Sequence, residues 1–204
     1  MPLNDLDLDR RRCSAHWPAD DAVFILYSYN ETIFDEKTFH SVHELLDLLK
    51  TDMKNSCSQP KDTKYYWIEV INSSSVDMPI SIQILCEYFQ IHPLTIEDIG
   101  TLAPYMKLDL FPETKSIYLV MKMLTWIDQR VQQQQISFYL NCSQNLLITF
   151  QEKSTKNSEH FFETIRNRLR KQQTIDEHIH QHKRLRQFNV DYLFYCLLDN
   201  IVDR

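Results

Sequence analysis

The sequence predicts an α/β protein, and three observations carry that expectation. Short apolar or alternating runs such as AVFILYSY and YYWIEVI have strand length and strand composition. Between residues 106 and 151, four further such runs follow one another with polar turns between them, as in an antiparallel meander. Elsewhere, apolar residues recur every three to four positions, the period of a helix with one buried face.

Taken in order, residues 1–20 are polar and charged and read as a loose tail. Ala22–Tyr29 reads as a buried strand and residues 31–40 (ETIFDEKTFH) as an alternating one. Ser41 and Glu44 have capping-box spacing, which predicts a helix through Leu45, Leu46, Leu48 and Leu49. After a polar loop (KNSCSQPKDTK), Tyr65–Ile71 is the next strand. Asp77 is placed to cap a helix with Pro79 in its first turn and a core-facing stripe of Ile80, Ile84, Leu85, Tyr88 and Phe89. Pro93 ends that helix and starts a short one, Leu94–Ile99.

The meander comprises Met106–Phe111, Ser116–Trp126, Gln135–Asn141 and Asn145–Gln151, with Gln132–Gln135 read as a short polar turn. A helix over Glu159–Lys171 carries Phe161, Phe162, Ile165 and Leu169 at helical spacing, with acids early and arginines late, as the macrodipole prefers. Residues 172–188 are polar and ambiguous. In the last helix Val190, Leu193, Phe194, Leu197, Leu198 and Ile201 form one stripe, while Tyr192, Tyr195, Asp199 and Asp203 share the other face. The pattern still runs at Arg204, as in a helix that continues or has been cut short.

Composition narrows the function classes. A net charge of −6 argues against a general nucleic-acid binder, which would show a basic face. Five scattered cysteines without a CxxC suggest neither a disulfide framework nor a zinc ribbon, and they suit a reducing compartment. No apolar signal core and no run of about 18 apolar residues is present. There is a single glycine, Gly100, against ordinary usage of about 7%. Dinucleotide fingerprints, Walker loops and nucleophile elbows all need more.

The candidate sites are acidic. Glu97–Asp98, beside Ile96 and Ile99, reads as a solvated helix end, an acid/base pair or half of a cation site; the residues alone leave these open. Asp199 and Asp203 lie four apart and repel by a few tenths of a kcal/mol, so that face is wet or a cation or partner offsets it. His178, His180 and His182 read as a polar linker rather than a zinc box, and His92 as a hydrogen-bonded structural histidine. Arg166, Arg168, Arg170 and Lys171 read as a solvated helix face.

Several segments, in unbroken order over residues 65–204, resemble the cytoplasmic domain of CorA-type magnesium channels. YFQIHPLTIEDI is similar to that family's Phe-Phe-Gly-Ile-His-Pro-Leu-x-x-Glu-Asp-Ile segment. KLDLFPETKSIYLVMKMLTW, QISFYLNCSQNLLITFQEK, FFETIRNRLR and VDYLFYCLLDNIVDR follow in register. Two departures stand out: Gln90 replaces the glycine after the aromatic pair, and of a Gln-Arg-Pro-Lys run only Lys107 is kept.

The resemblance implies an α/β/α sandwich around a mixed, largely antiparallel sheet. It divides the chain into a tail (1–20), a CorA-like domain (21–188) and the start of a long stalk helix (189–204). It implies a non-enzymatic domain of a magnesium transporter or channel, assembled as a homopentamer with other CorA-like subunits and lying on the cytoplasmic side. The membrane would be reached only through C-terminal helices that these residues lack, as they lack the Gly-Met-Asn pore motif, so the fragment is expected to be soluble. The resemblance also implies that Asp98 and Glu97, with Asp199 and additionally Asp203, contribute to a weak regulatory site for Mg2+, or for Co2+ or another divalent cation, between subunits. Two rivals are a free-standing interaction or regulatory module and, more weakly, an enzyme using Glu97 with another acid.

Overall fold

The computed structural model describes residues 22–56, 63–72, 78–101, 105–127, 130–152, 162–170 and 184–202. In chain order these form β1 (Val23–Tyr29), β2 (Phe34–Phe39), α1 (Val42–Ser56), β3 (Tyr65–Asn72), α2 (Ile80–Tyr88) and α3 (Pro93–Gly100). There follow β4 (Lys107–Phe111), β5 (Ser116–Ile127), β6 (Arg130–Asn141), β7 (Leu146–Glu152), α4 (Glu163–Arg170), α5 (Arg184–Gln187) and α6 (Val190–Val202). Asp77, the three clustered histidines, Lys171 and Asp203 lie outside the described residues.

The strands form one sheet in the order β2-β1-β3-β7-β6-β5-β4. Every pairing is antiparallel except β3 with β7, so the sheet is mixed, and β4 to β7 form the expected meander. Strands buried on both sides need two covering layers. Phe24, Leu26, Ile68, Val70 and Ile148 face one core with α1, α2 and α3. Tyr27, Trp67, Phe138, Leu140 and Leu147 face the other with α4, α5 and α6. The result is the α/β/α sandwich.

Near-absence of glycine leaves left-handed positions to other residues. Gln90, Lys115 and Asn145 have φ of 55°, 51° and 52°. Gln90 ends α2: its N–H donates to Glu87 O at 3.1 Å, and the Ile91 N–H donates to Cys86 O at 2.9 Å. That is the Schellman pattern, with glutamine where glycine is usual. At the β1–β2 turn, Asn30 Oδ1 accepts from the N–H groups of Thr32 (3.0 Å) and Ile33 (2.7 Å), so a side chain does the work of a glycine turn.

Three expectations are corrected. Ile80 is exposed; the buried stripe of α2 is Ser81, Ile82, Leu85 and Cys86, continued by Phe89. The helix begins one residue later than expected, with Pro79 at its N-cap, which rotates Ile80 outward. Residues 132–135 are strand, because β6 starts at Arg130. Residues 130–135 pair with β5 but not with β7, so they extend as a two-stranded ribbon beyond the body of the sheet, where polar residues are at home.

The third correction concerns the arginines of α4. Arg166 is buried against Glu69, which is fully buried on β3. Its Nη2 donates to Glu69 Oε1 at 2.6 Å and its Nε to Oε2 at 3.1 Å. Tyr27 Oη (3.2 Å) and Gln151 Nε2 (2.5 Å) also donate to Glu69. Arg170 makes a two-point pair with Glu36 at 2.7 and 2.8 Å, and Glu163 joins both arginines. A helix face that looks solvated in sequence is an ion-pair network because Glu69 lies under it. Within the stretch that the sequence leaves ambiguous, α5 presents the buried Arg186, whose guanidinium donates to Leu169 O at the end of α4 and stacks 4.7 Å over Phe34.

Candidate divalent-cation site

The acidic pair sits on α3. His92 takes the N-cap position, and its Nδ1 accepts from the Leu94 N–H at 3.3 Å. Pro93 takes the first helical position, where its missing N–H costs nothing. The His92 ring also stacks on Phe111 at 5.4 Å, so this histidine is structural. Ile96 and Ile99 face the core and Thr95 is buried, which turns Glu97 to solvent and leaves Asp98 half-buried on the flank. Gly100 packs against Met78: a Cβ here would stand 3.2 Å from that of Met78.

Glu97 and Asp98 occupy the last turn of α3, at the negative end of its dipole. Acidic residues there are disfavoured by about 0.3–1 kcal/mol each. Asp98 finds an offset in Lys107 at the start of β4. Lys107 Nζ stands 2.6 Å from Asp98 Oδ2 and 2.9 Å from Asp109 Oδ2. Residues two apart on a strand share a face, so the pleat of β4 brings Lys107 and Asp109 together. Hydrogen bonds to Asp98 and then to Asp109 hold the Lys107 ammonium above its ordinary pKa.

Sequence reasoning missed Asp109. The available signal was its spacing from Lys107 on an alternating strand. That β4 would run beside α3 could not be read in the same way, since it follows from chain topology.

The remaining candidates stand apart. Glu97 is exposed, and its backbone carbonyl accepts from Thr101 Oγ1 at 2.9 Å. Asp199 is exposed on α6, on the opposite side of the sheet from α3. One chain therefore does not bring Asp98 and Asp199 together. Among the described residues, no group of three or more His, Cys, Asp or Glu is arranged to hold a metal ion. A magnesium ion uses only one or two protein carboxylates and keeps much of its water. The Asp98–Asp109 pair has that composition, but Lys107 already stands between the two carboxylates. As a cation cage within one chain, the set does not fit.

No family model matches the chain. It is 27% identical over 177 residues to the cobalt/magnesium transport protein CorA of Thermotoga maritima (strain ATCC 43589 / DSM 3109 / JCM 10099 / NBRC 100826 / MSB8), a match covering 86% of this chain. The similarity supports a CorA family relationship. The chain spans 45% of the length of that relative. Its fold is also that of the full-length CmaX protein, with a TM-score of 0.56 and 8% identity, over 92% of this chain and 47% of that one. CorA is a transport protein, in agreement with a non-enzymatic reading. No helix among the described residues is long and apolar enough to cross a membrane.

Proposed function

We propose that this chain is the cytoplasmic-side domain of a CorA-like magnesium or cobalt transport protein, and that its Asp98 flank is a cation-responsive contact between subunits. The carrying observation is the 27% identity over 86% of the chain to a cobalt/magnesium transporter.

The geometry supports an intersubunit location. Asp98 and Asp199 lie on opposite faces of the sandwich, so they can meet only when one copy places its α3 side against the α6 side of another. Such a contact between unlike faces is heterologous, and heterologous contacts form a ring where the rotation between subunits closes. A ring of identical subunits, five by analogy with the family, is the assembly this arrangement suits. Bringing carboxylates from two subunits together costs repulsion unless a cation lies between them. Mg2+ or Co2+ would then favour the assembled state by its differential affinity for it, and Glu97, with Asp203 as an additional acidic contact, would add negative charge there.

The test is a magnesium titration of the chain, following thermal stability and oligomer size together. Binding to the native assembly raises apparent stability with the logarithm of ligand excess. Asp98→Ala and Asp199→Ala should each blunt that rise. An unchanged wild-type protein at millimolar magnesium, or an equal response in Asp98→Ala, sinks the proposal.

A further inference from the structure

The sheet ends in β2 on one side and β4 on the other, and these two edges differ in character. β2 carries Asp35, Glu36 and Lys37 in succession, with Lys37 Nζ 2.8 Å from Asp35 Oδ2 and Glu36 held by Arg170. Charge of that density guards an edge against pairing with another strand. β4 has no such guard on one of its faces. Leu108 and Leu110 are 59% and 62% exposed, and Met106, just before the strand, is 69% exposed. Leu108 and Leu110 pair with Leu119 and Ile117 of β5, so they carry the apolar face under α4–α6 outward to the edge.

The other face of β4 carries one charge of each sign, Lys107 and Asp109, two residues apart. That spacing is complementary to itself. Consider a second β4 laid antiparallel along the first, the two related by a two-fold axis along the sheet normal. Residues of like faces then oppose each other, and the register is set by the residue on the axis. With Lys107 on the axis two ammoniums oppose, and with Asp109 two carboxylates oppose; like charges directly opposite are destabilising. With Leu110 on the axis, the second strand runs past the end of β4 at Phe111. With Leu108 on the axis, Lys107 of each copy opposes Asp109 of the other. On the second face Leu108 then meets Leu108, and Met106 meets Leu110.

Charge complementarity and apolar matching thus favour the same register, and both are supplied by the chain itself. We infer that β4 docks a second copy of this chain edge to edge, antiparallel and centred on Leu108, joining two seven-stranded sheets into one. Main-chain hydrogen bonds across the new pair use the N–H and C=O groups that an edge strand leaves unpaired. The contact is isologous, unlike the α3-to-α6 contact proposed above. It also needs no metal, because Lys107 already supplies the cation between Asp98 and Asp109 and gains a further carboxylate from the second copy.

Sedimentation equilibrium of the full chain in EDTA tests this, since removing divalent cations separates it from the cation-dependent contact. A concentration-dependent dimer is expected. Leu108→Lys sets two ammoniums face to face on the axis and should weaken the dimer at least about tenfold. Ile80→Lys, at an equally exposed position on α2, should leave it unchanged. Mild oxidation of Leu108→Cys should give a 108–108 disulfide, identified by mass spectrometry, because directly opposed residues place their Cα atoms about 4.5–5.5 Å apart, within disulfide reach. Leu110→Cys, which faces Met106 of the other copy, should not link to itself. A monomer at every concentration up to about 1 mM overturns the inference. So does a dimer that Leu108→Lys leaves intact, an equal loss in Ile80→Lys, or a 110–110 link as abundant as the 108–108 link.

Discussion

Lys107 Nζ stands 2.6 Å from Asp98 Oδ2, where a cation neutralising that carboxylate would stand. The lysine and a metal ion are therefore competitors. Lys107→Met removes the ammonium and leaves Asp98 and Asp109 facing each other. The half-exposed pair itself contributes below about 1 kcal/mol, so the variant folds. Its thermal stability should fall slightly without magnesium and rise more steeply with it than that of the wild type. A magnesium response identical to the wild type's would count against a cation role for Asp98.

Glu69 and Arg166 are a different matter, because both are buried. Arg166→Met leaves Glu69 charged in the core, at a cost of about 3–5 kcal/mol. Adding Glu69→Gln should recover much of that loss, since the amide oxygen can still accept from Gln151 and the amide N–H can donate to the Tyr27 hydroxyl, without the buried charge. Urea midpoints of the two single variants and the double give the coupling directly.

Acid should weaken the same network through Glu163. Burial pushes its carboxyl up, but the Arg166 hydrogen bond and the charges of Arg170 and Arg166 outweigh this and hold its pKa below the ordinary 4.5. A folded value below the unfolded one means stability that is present above pH 4.5 and lost as pH falls through the folded value. Glu163→Gln should flatten the pH dependence of the urea midpoint below that point and leave its slope near neutrality unchanged.

Gln90 holds the left-handed position that ends α2, with φ of 55°. Gln90→Gly should stabilise the fold by about 1 kcal/mol, the relief of a side chain from that region. Equilibrium unfolding checks this. A loss of stability would show that contacts of the glutamine side chain outweigh its backbone strain.

Trp67 Nε1 donates to Thr149 Oγ1 at 3.1 Å across the parallel β3–β7 pair. Thr149→Val keeps the shape and strands the indole N–H, costing about 1–3 kcal/mol. Thr149→Ser, which restores an acceptor, should cost clearly less by thermal melts.

Most elements were legible because their burial is periodic. Strands covered on both faces, such as β1 and β3, read as continuous apolar runs, and α6 shows its buried stripe at three-to-four spacing. The start of α2 was misplaced because proline suits an N-cap as well as a first turn, and a shift of one residue turns Ile80 from core to solvent. The glutamines of β6 looked like a turn because strand signals depend on a buried face, and the ribbon beyond β7 has none. Arg166 looked solvated because nothing local to α4 reveals a buried glutamate 97 positions earlier.

By itself, then, the sequence determined the element types, the antiparallel meander and an acidic pair at the end of a short helix beginning His92-Pro93. These depend on local periodicity, capping and chain order. Only the tertiary structure decided that Lys107 stands between Asp98 and Asp109, and that Asp98 and Asp199 face away from each other across one sheet. Those relationships depend on which strands become neighbours and which helices cover which face. Long-range packing sets both, and no spacing along the chain encodes them.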